Sequence, residues 1–273
     1  MNQTLSNVEN KMPVKTITSG NLRLLDKPFP HETTIDGSIS HGVQKLWHRF
    51  YPHFNSEAFG DLLRQKIRAT DHVLEIGAGS GKGNQKHFEL RGKVARYTGI
   101  DPDARVLENQ YLDDARVGKA ESLPLANESF DLVFHTFVAE HFQSPQTCNR
   151  EIARVLKPGG LLLFQTPSRY YYASLVAQIT PQWFHEFYVS HFGSGRVSEE
   201  IFPTYYRLNE KRSITEQLHD CGFECQIQHL STPPGYLRFS KLSFLVGVLF
   251  ERTLERSFPA LRARLIVEAR KIT

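Results

Sequence analysis

Cysteine, tryptophan and methionine are all scarce in this sequence of 273 residues, which has three, two and two of them. Cys148, Cys221 and Cys225 form neither a CxxC pair nor a ladder of regular spacings, and no Cys/His cluster has zinc-ligand spacing. A disulfide framework and a zinc site are therefore excluded, and the cysteines read as reduced and structural. Long apolar runs are missing too. The longest, "LSFLVGVLF" at 242 to 250, falls far short of the ~20 residues that a membrane-spanning helix needs. The opening "MNQTLSNVENKMPVK" lacks an apolar core behind a basic start, which argues against a secretory leader and for a cytoplasmic protein. Charge of one sign is also lacking: the net +4 is spread along the chain without Lys/Arg blocks, so no nucleic-acid partner is expected. No internal repeat appears.

What is present is an ordinary globular composition, 40% apolar and 23% charged, patterned as alternating strands and helices. Residues 1–40 are polar and aperiodic and read as a loosely ordered arm; 41–273 read as one domain. Apolar residues from Val43 to Ile67 recur at helical spacing, with Pro52 between two segments. "HVLEIG" is a strand, followed by a glycine loop and a helix through Leu90. "ARYTGID" is a strand and "ARVLENQYL" a helix. "ARVGKA" and "FDLVFHTFV" are strands. "SPQTCNREIARVL" is a helix with Ser144 as cap and Pro145 in its first turn, stopping at "KPGG" before the strand "LLLFQTP". Such alternation predicts right-handed crossovers and a mostly parallel, doubly wound sheet. Two stretches interrupt the rhythm, 168–212 and 231–258, and read as cap insertions. Between and after them come helix "SITEQLHDCG", strand "FECQIQHL" and a closing strand, "ARLIVEARK".

The glycine loop, "HVLEIGAGSGKG", decides among ligands. A Walker A loop needs four residues between its first glycine and Gly-Lys-Ser/Thr; here three separate Gly77 from Gly81, and Gly83 follows Lys82. The dinucleotide fingerprint fails because Lys82 or Asn84 stands where its third glycine belongs. What fits is an acid followed by alternating glycines: Glu75, Gly77, Gly79 and Gly81. Glycine permits the sharp turn and lets a ligand lie against backbone. An acid there repels a pyrophosphate but suits a ligand carrying an ammonium and a sulfonium. Asp101 ends the second strand, twenty residues beyond Gly81, where a carboxylate can accept both hydroxyls of a ribose.

Together "LEIGAGSGKG", "YTGIDPD", "AESLPLANESFDLVF", "AEHF" and "EIARVLKPGGLLLFQTP" resemble the successive motifs of class I S-adenosylmethionine-dependent methyltransferases of the type 11 group. The resemblance covers roughly 72 to 167. It implies a Rossmann-like, seven-stranded sheet whose last strand runs antiparallel, with "ARLIVEARK" in that role. It also implies S-adenosyl-L-methionine as cofactor. Glu75, Gly77, Ala78, Gly79 and Gly81 would line the methionine part and Asp101 would hold the ribose. Ala120 and Glu121 would flank the adenine, with Thr136 completing the set. Such proteins commonly place an acid before the "AE" pair; this chain has Lys119, which puts the usual adenine contact in doubt.

The acceptor is less legible. Base N-methylating enzymes end strand four in Asn/Asp-Pro-Pro-aromatic, whereas this strand ends "HTFVAEHF". No metal-ligand cluster is found. His135, His141 and His185 are candidates for a base, against the competing reading of each as a structural histidine. His141 and His185 are retained as catalytic candidates. The aromatic stretch after strand five offers Tyr170, Tyr171, Trp183, Phe187 and Tyr206 as acceptor-lining residues, against the alternative that it packs a satellite core. The expectation is methyl transfer, at oxygen, to a small molecule or glycoconjugate. A cofactor-binding scaffold without turnover and a nicotinamide-dependent oxidoreductase are the alternatives. The run 237–256 places Leu242, Leu245, Val246 and Leu249 on one side of a helix, suited to packing on the cap or to a homo-oligomer contact.

Overall fold

The computed structural model describes residues 41–52, 54–55, 57–82, 88–180 and 203–272. The predicted arm, and Trp183, His185 and Phe187, lie outside them. Helices α1 (His41–Phe50) and α2 (Ala58–Lys66) precede β1 (His72–Ile76), β2 (Arg96–Asp101), β3 (Asp114–Val117) and β4 (Phe130–Thr136). Helix α3 (Pro145–Val155), β5 (Leu156–Pro167), α4 (Tyr172–Ile179), α5 (Lys211–Asp220), β6 (Phe223–Leu230), α6 (Lys241–Phe250) and β7 (Arg264–Lys271) follow. The seven strands form one sheet in the order β3-β2-β1-β4-β5-β7-β6. Pairing is parallel from β3 through β5, and β7 runs antiparallel to both its neighbours. The expected doubly wound sheet with an antiparallel last strand is the fold.

Central strands are apolar because both of their faces are covered. Leu74, Ile76, Val133, Leu162 and Phe164 pack with Cys148, Ile152 and Val155 of α3 and with Ile214 and Leu218 of α5. Val73, Tyr97, Phe134 and Leu163 pack on the other face with Phe59, Leu62 and Leu63 of α2. Full burial of a side chain such as Phe134 or Leu74 contributes about 1.5–3 kcal/mol, so these two layers hold the strand ends in register. A third cluster joins α1 to α6 through Val43, Phe244 and Val248, with Trp47 stacked on Phe244.

Four local expectations need correction. The helix predicted over "ARVLENQYL" is a short 3-10 turn, Ala104–Glu108, because the Asn109 side-chain amide is bonded to the glycine loop and its backbone is extended. The stop at "KPGG" is instead a bulge inside β5: Phe130 pairs with Leu156 and Leu132 with Leu161, and Gly159 takes φ +72°. Ser144 occupies the cap position of α3, but its hydroxyl meets the Thr147 hydroxyl (2.9 Å) and no backbone N–H. Phe88 to Leu90 are not helical; residues 83–87 of that predicted helix lie outside the described ones.

Of the two uses expected for the leucine face of α6, packing on the cap is not found among the described residues, and the homo-oligomer contact is not tested by a single chain. Leu242, Leu245, Val246 and Leu249 are exposed, and Phe244 and Val248 make the contact with α1. The helix is apolar on both sides, so periodicity alone does not choose the buried one. No helix among the described residues is long and apolar enough to cross a membrane.

Candidate active site

Strand order reverses between β1 and β4, and the carboxyl ends of these strands open the crevice where such sheets take ligands. The glycine loop leaves β1 there and folds over the end of β2, with Gly77 and Ala78 both donating N–H to the Ile100 carbonyl (2.8 and 3.2 Å). Gly77, Gly79 and Gly81 have φ of +76°, +55° and +71°, the left-handed region that a side chain resists. Space forbids one as well. A Cβ at Gly77 would sit on the Val138 methyl Cγ2, and one at Gly81 would lie 2.6 Å from Asn109 Oδ1. All three alternating glycines are thus required by the backbone, and Gly77 and Gly81 by their neighbours as well.

Two carboxyl groups flank this loop. Asp101, buried at the end of β2, accepts the Gly79 N–H on Oδ2 (3.0 Å) and the Asp103 N–H on Oδ1 (2.8 Å). Burial raises its pKa, and the two N–H bonds oppose the rise. Glu75, buried on β1, accepts the Tyr97 hydroxyl. Burial pushes the Glu75 carboxyl up to about 8, the Tyr97 bond lowers it and the nearby Asp101 raises it further. Asn109 completes the loop: its Nδ2 donates to the carbonyls of Ala78 and Gly79 (both 3.1 Å), and its Oδ1 accepts the Tyr111 N–H (3.0 Å). Sequence reasoning missed Tyr97 and Asn109, for neither belongs to a spacing pattern.

The remaining predicted cofactor residues sit on the neighbouring strand ends. Ala120 is buried on the turn after β3, whereas the Glu121 side chain reaches the Cys148 thiol on α3, whose pKa burial and Glu121 raise. Lys119 makes a bridge with Ser122. Thr136 closes β4, and Phe137 beyond it takes φ +56° while donating its N–H to the Gln165 carbonyl (2.9 Å). Val138 then lies against Gly77, so the segment after β4 is tied to the glycine loop.

On the other flank, Glu140 is buried and accepts the Thr166 hydroxyl (3.1 Å), which in turn accepts from Asn209 Nδ2 (2.7 Å). His141 holds the Pro203 carbonyl at Nδ1 (2.9 Å). A carbonyl only accepts, so neutral His141 carries its proton on Nδ1 and its lone pair on Nε2. His135 differs: it is stacked on Phe164 (4.5 Å between centroids), tilted on Phe142, and neither ring nitrogen has a partner. Burial takes its pKa down to about 3, so it stays neutral and closed off. Of the aromatic set, Tyr171 is buried and Tyr206, at φ +51°, meets Ser174 and Thr204 with its hydroxyl. Tyr170 turns the other way. It donates to Glu210 (2.6 Å) and borders a shallow groove with Leu254, Phe258 and Leu261, so the structure does not bring it together with Tyr171 and Tyr206.

Comparisons with known proteins follow this geometry. The family described as "Methyltransferase domain" matches residues 74–164. A Mycolicibacterium smegmatis protein named "Probable S-adenosylmethionine-dependent methyltransferase" is 37% identical over 204 residues, 73% of this chain and 66% of that protein. The ubiquinone/menaquinone biosynthesis C-methyltransferase UbiE of Hahella chejuensis is 28% identical over 163 residues, 56% of this chain and 61% of its own length. The matched part thus spans about three fifths to two thirds of these relatives. Among solved structures, the "Complex between the Haloferax volcanii Trm112 methyltransferase activator and the putative methyltransferase" contains a chain of the same fold. It has a TM-score of 0.53 and 20% identity, with 85% of this chain and 94% of that chain covered.

Proposed function

The chain belongs to the class I S-adenosylmethionine-dependent methyltransferases of the type 11 group, and from that premise we propose that it methylates an oxygen of a small molecule or glycoconjugate. The observation that carries the reading is the donor loop: three left-handed glycines at the β1–β4 crevice, flanked by the buried carboxyls of Glu75 and Asp101. Such a cradle fits a cationic nucleoside, since bare backbone admits it closely and the carboxyls answer its charge. When bound, that cofactor supplies an electrophilic methyl group on a sulfonium. Glu75 and the loop from Gly77 to Gly81 hold the methionine part, Asp101 holds the ribose, and Ala120 with Glu121 and Thr136 border the base.

An acceptor hydroxyl needs in-line placement and a group to take its proton. His141 supports that role, because the Pro203 carbonyl fixes the tautomer that leaves Nε2 basic. Tyr171 and Tyr206 border the acceptor. The test is a screen of metabolite acceptors with S-adenosylmethionine, read by a mass gain of one methyl group. Methylated product from the wild type, and a fall in kcat without change in cofactor affinity for His141→Ala, are expected. Cofactor binding with no product from any acceptor would instead point to a scaffold.

A further inference from the structure

Arg264 opens β7, and because β7 is antiparallel its first residue lies opposite Pro167, at the carboxyl end of β5. Its guanidinium is set over the Phe137 ring, 5.2 Å from the centroid. Phe137 precedes Val138, which lies against Gly77, so the cation rests on the segment that packs on the glycine loop.

Other arginines near the body of the fold have partners for their N–H groups. Arg154 binds Glu151, Asn127 and two carbonyls; Arg262 binds the carbonyls of Glu255 and His229; Arg270 binds that of Gly159. Arg264 is partly buried, and among the described residues no carboxylate or hydrogen-bond acceptor meets it. The phenol groups of Tyr171 and Tyr236 lie near it, and burial holds its pKa below the usual arginine range. A ring face satisfies one side of a guanidinium, but its edge, with five N–H donors in a planar fork, is left to find an acceptor. A half-buried cation whose fork has no protein acceptor is completed by water or, at a gain, by an anion.

We propose that Arg264, backed by Phe137 and bordered by Tyr171 and Tyr236, is the binding site for an oxyanion, a carboxylate or phosphate, carried by the methyl acceptor. The fork accepts either oxyanion through two parallel N–H···O bonds, and the surrounding rings favour one attached to an apolar or aromatic body. The assignment to the acceptor rests on the methyl-transfer reading; the anion site itself does not.

The experiment therefore reads binding without turnover. Benzoate, phenyl phosphate and the neutral control benzamide are titrated into the full chain saturated with S-adenosylhomocysteine, followed by calorimetry or by ligand-observed NMR. At least one of the two anions is expected to bind about 10-fold or more tighter than benzamide, and which of them binds tighter separates carboxylate from phosphate. Arg264→Gln should remove that preference while leaving S-adenosylhomocysteine affinity unchanged, and Arg264→Lys should restore part of it. Thermal unfolding distinguishes a packing role: loss of an unpaired cation leaves the melting temperature of Arg264→Gln equal or higher, whereas a purely structural cation–π contact would lower it. Equal binding of benzamide and the anions, or binding by none of the three, overturns the proposal. So does a parallel loss of S-adenosylhomocysteine affinity in Arg264→Gln, which would assign the cation to the cofactor's own carboxylate. A protein that fails to bind S-adenosylhomocysteine at all, with Arg264 intact, would sink the methyltransferase reading instead.

Discussion

The two ends of the sheet treat their buried polar groups differently. From β1 to β3 they are paired: Glu75 with Tyr97, Asp101 with two backbone N–H groups, Asn109 with two carbonyls and an N–H. Among the described residues, the buried side-chain atoms without a hydrogen-bond partner begin only at His135 and include Asn149, Asn209, His229, Glu251 and Glu255. Arg264, half-buried over the Phe137 ring, lies on the same flank. A donor loop whose groups are already bonded is held ready for one ligand, since little reorganisation is left to do on binding. Unpaired groups near β5 and β7 mark a region that is completed by something else or that keeps polar groups at a cost in stability.

The sharpest way to break this contrast is to disorganise the donor end alone. Gly77→Val combines a positive φ of +76° with overlap on Val138, so cofactor affinity is expected to fall by more than about 100-fold. The loop lies at the carboxyl end of the strands, where only Ala78 of its residues joins a core layer, so thermal unfolding should stay cooperative. Calorimetric titration of S-adenosylmethionine checks the first statement and a melting curve the second. Retained affinity would mean that the loop is only a turn.

A milder test removes one bond partner. Asp101→Ala deletes the acceptor for Gly79 N–H and Asp103 N–H together with the carboxylate proposed to hold the ribose. Hydrogen bonds to a charged group contribute about 1.5–3 kcal/mol, which corresponds to roughly a 10- to 150-fold weaker cofactor. Unchanged affinity in a folded variant would reject the ribose assignment.

The same contrast explains what could be read from the sequence. The donor end is built from residues close together in the chain, and each announces itself: glycines at alternate positions because the backbone turns left-handed, an acid because it closes a strand. Asn109 and Tyr97 are single residues whose partners are found only once β1 and β2 pair, so no periodicity marks them. The flank proposed for the acceptor is assembled from Phe137, Tyr171, Tyr206, Tyr236 and Arg264, drawn from five separate segments. Arg264 stands at the head of "ARLIVEARK", where the apolar pattern predicts the strand and says nothing of the arginine. Tyr170 and Tyr171 were indistinguishable as neighbours in an aromatic run. Only the backbone entering α4 turns one toward Glu210 and buries the other.

Protons offer the finest comparison, with the smallest effect. Glu75 at the donor end and Glu251 at the cap are both buried, and burial pushes each up to about 8; each accepts a tyrosine hydroxyl, Tyr97 and Tyr51 respectively. A folded-state pKa above the unfolded value means that the native chain holds a proton the unfolded chain has released. Stability is then greatest below the ordinary carboxyl range of ~4.3 and falls as pH rises to about 8, by at most ~1.4 kcal/mol per pH unit for each group. Melting curves across this window should show the decline, and Glu75→Gln and Glu251→Gln should each flatten it. The cofactor separates the two. A cation placed beside Glu75 favours its ionised form, so binding at pH 7 releases a proton and affinity rises as pH approaches 8. Glu251 packs against Tyr51 beside α1, away from that loop, and takes no part in the release. Calorimetry in buffers of different ionisation heat should therefore find proton release in the wild type and in Glu251→Gln, and none in Glu75→Gln. Release that survives in Glu75→Gln would place the titrating group elsewhere and remove Glu75 from the cofactor's surroundings.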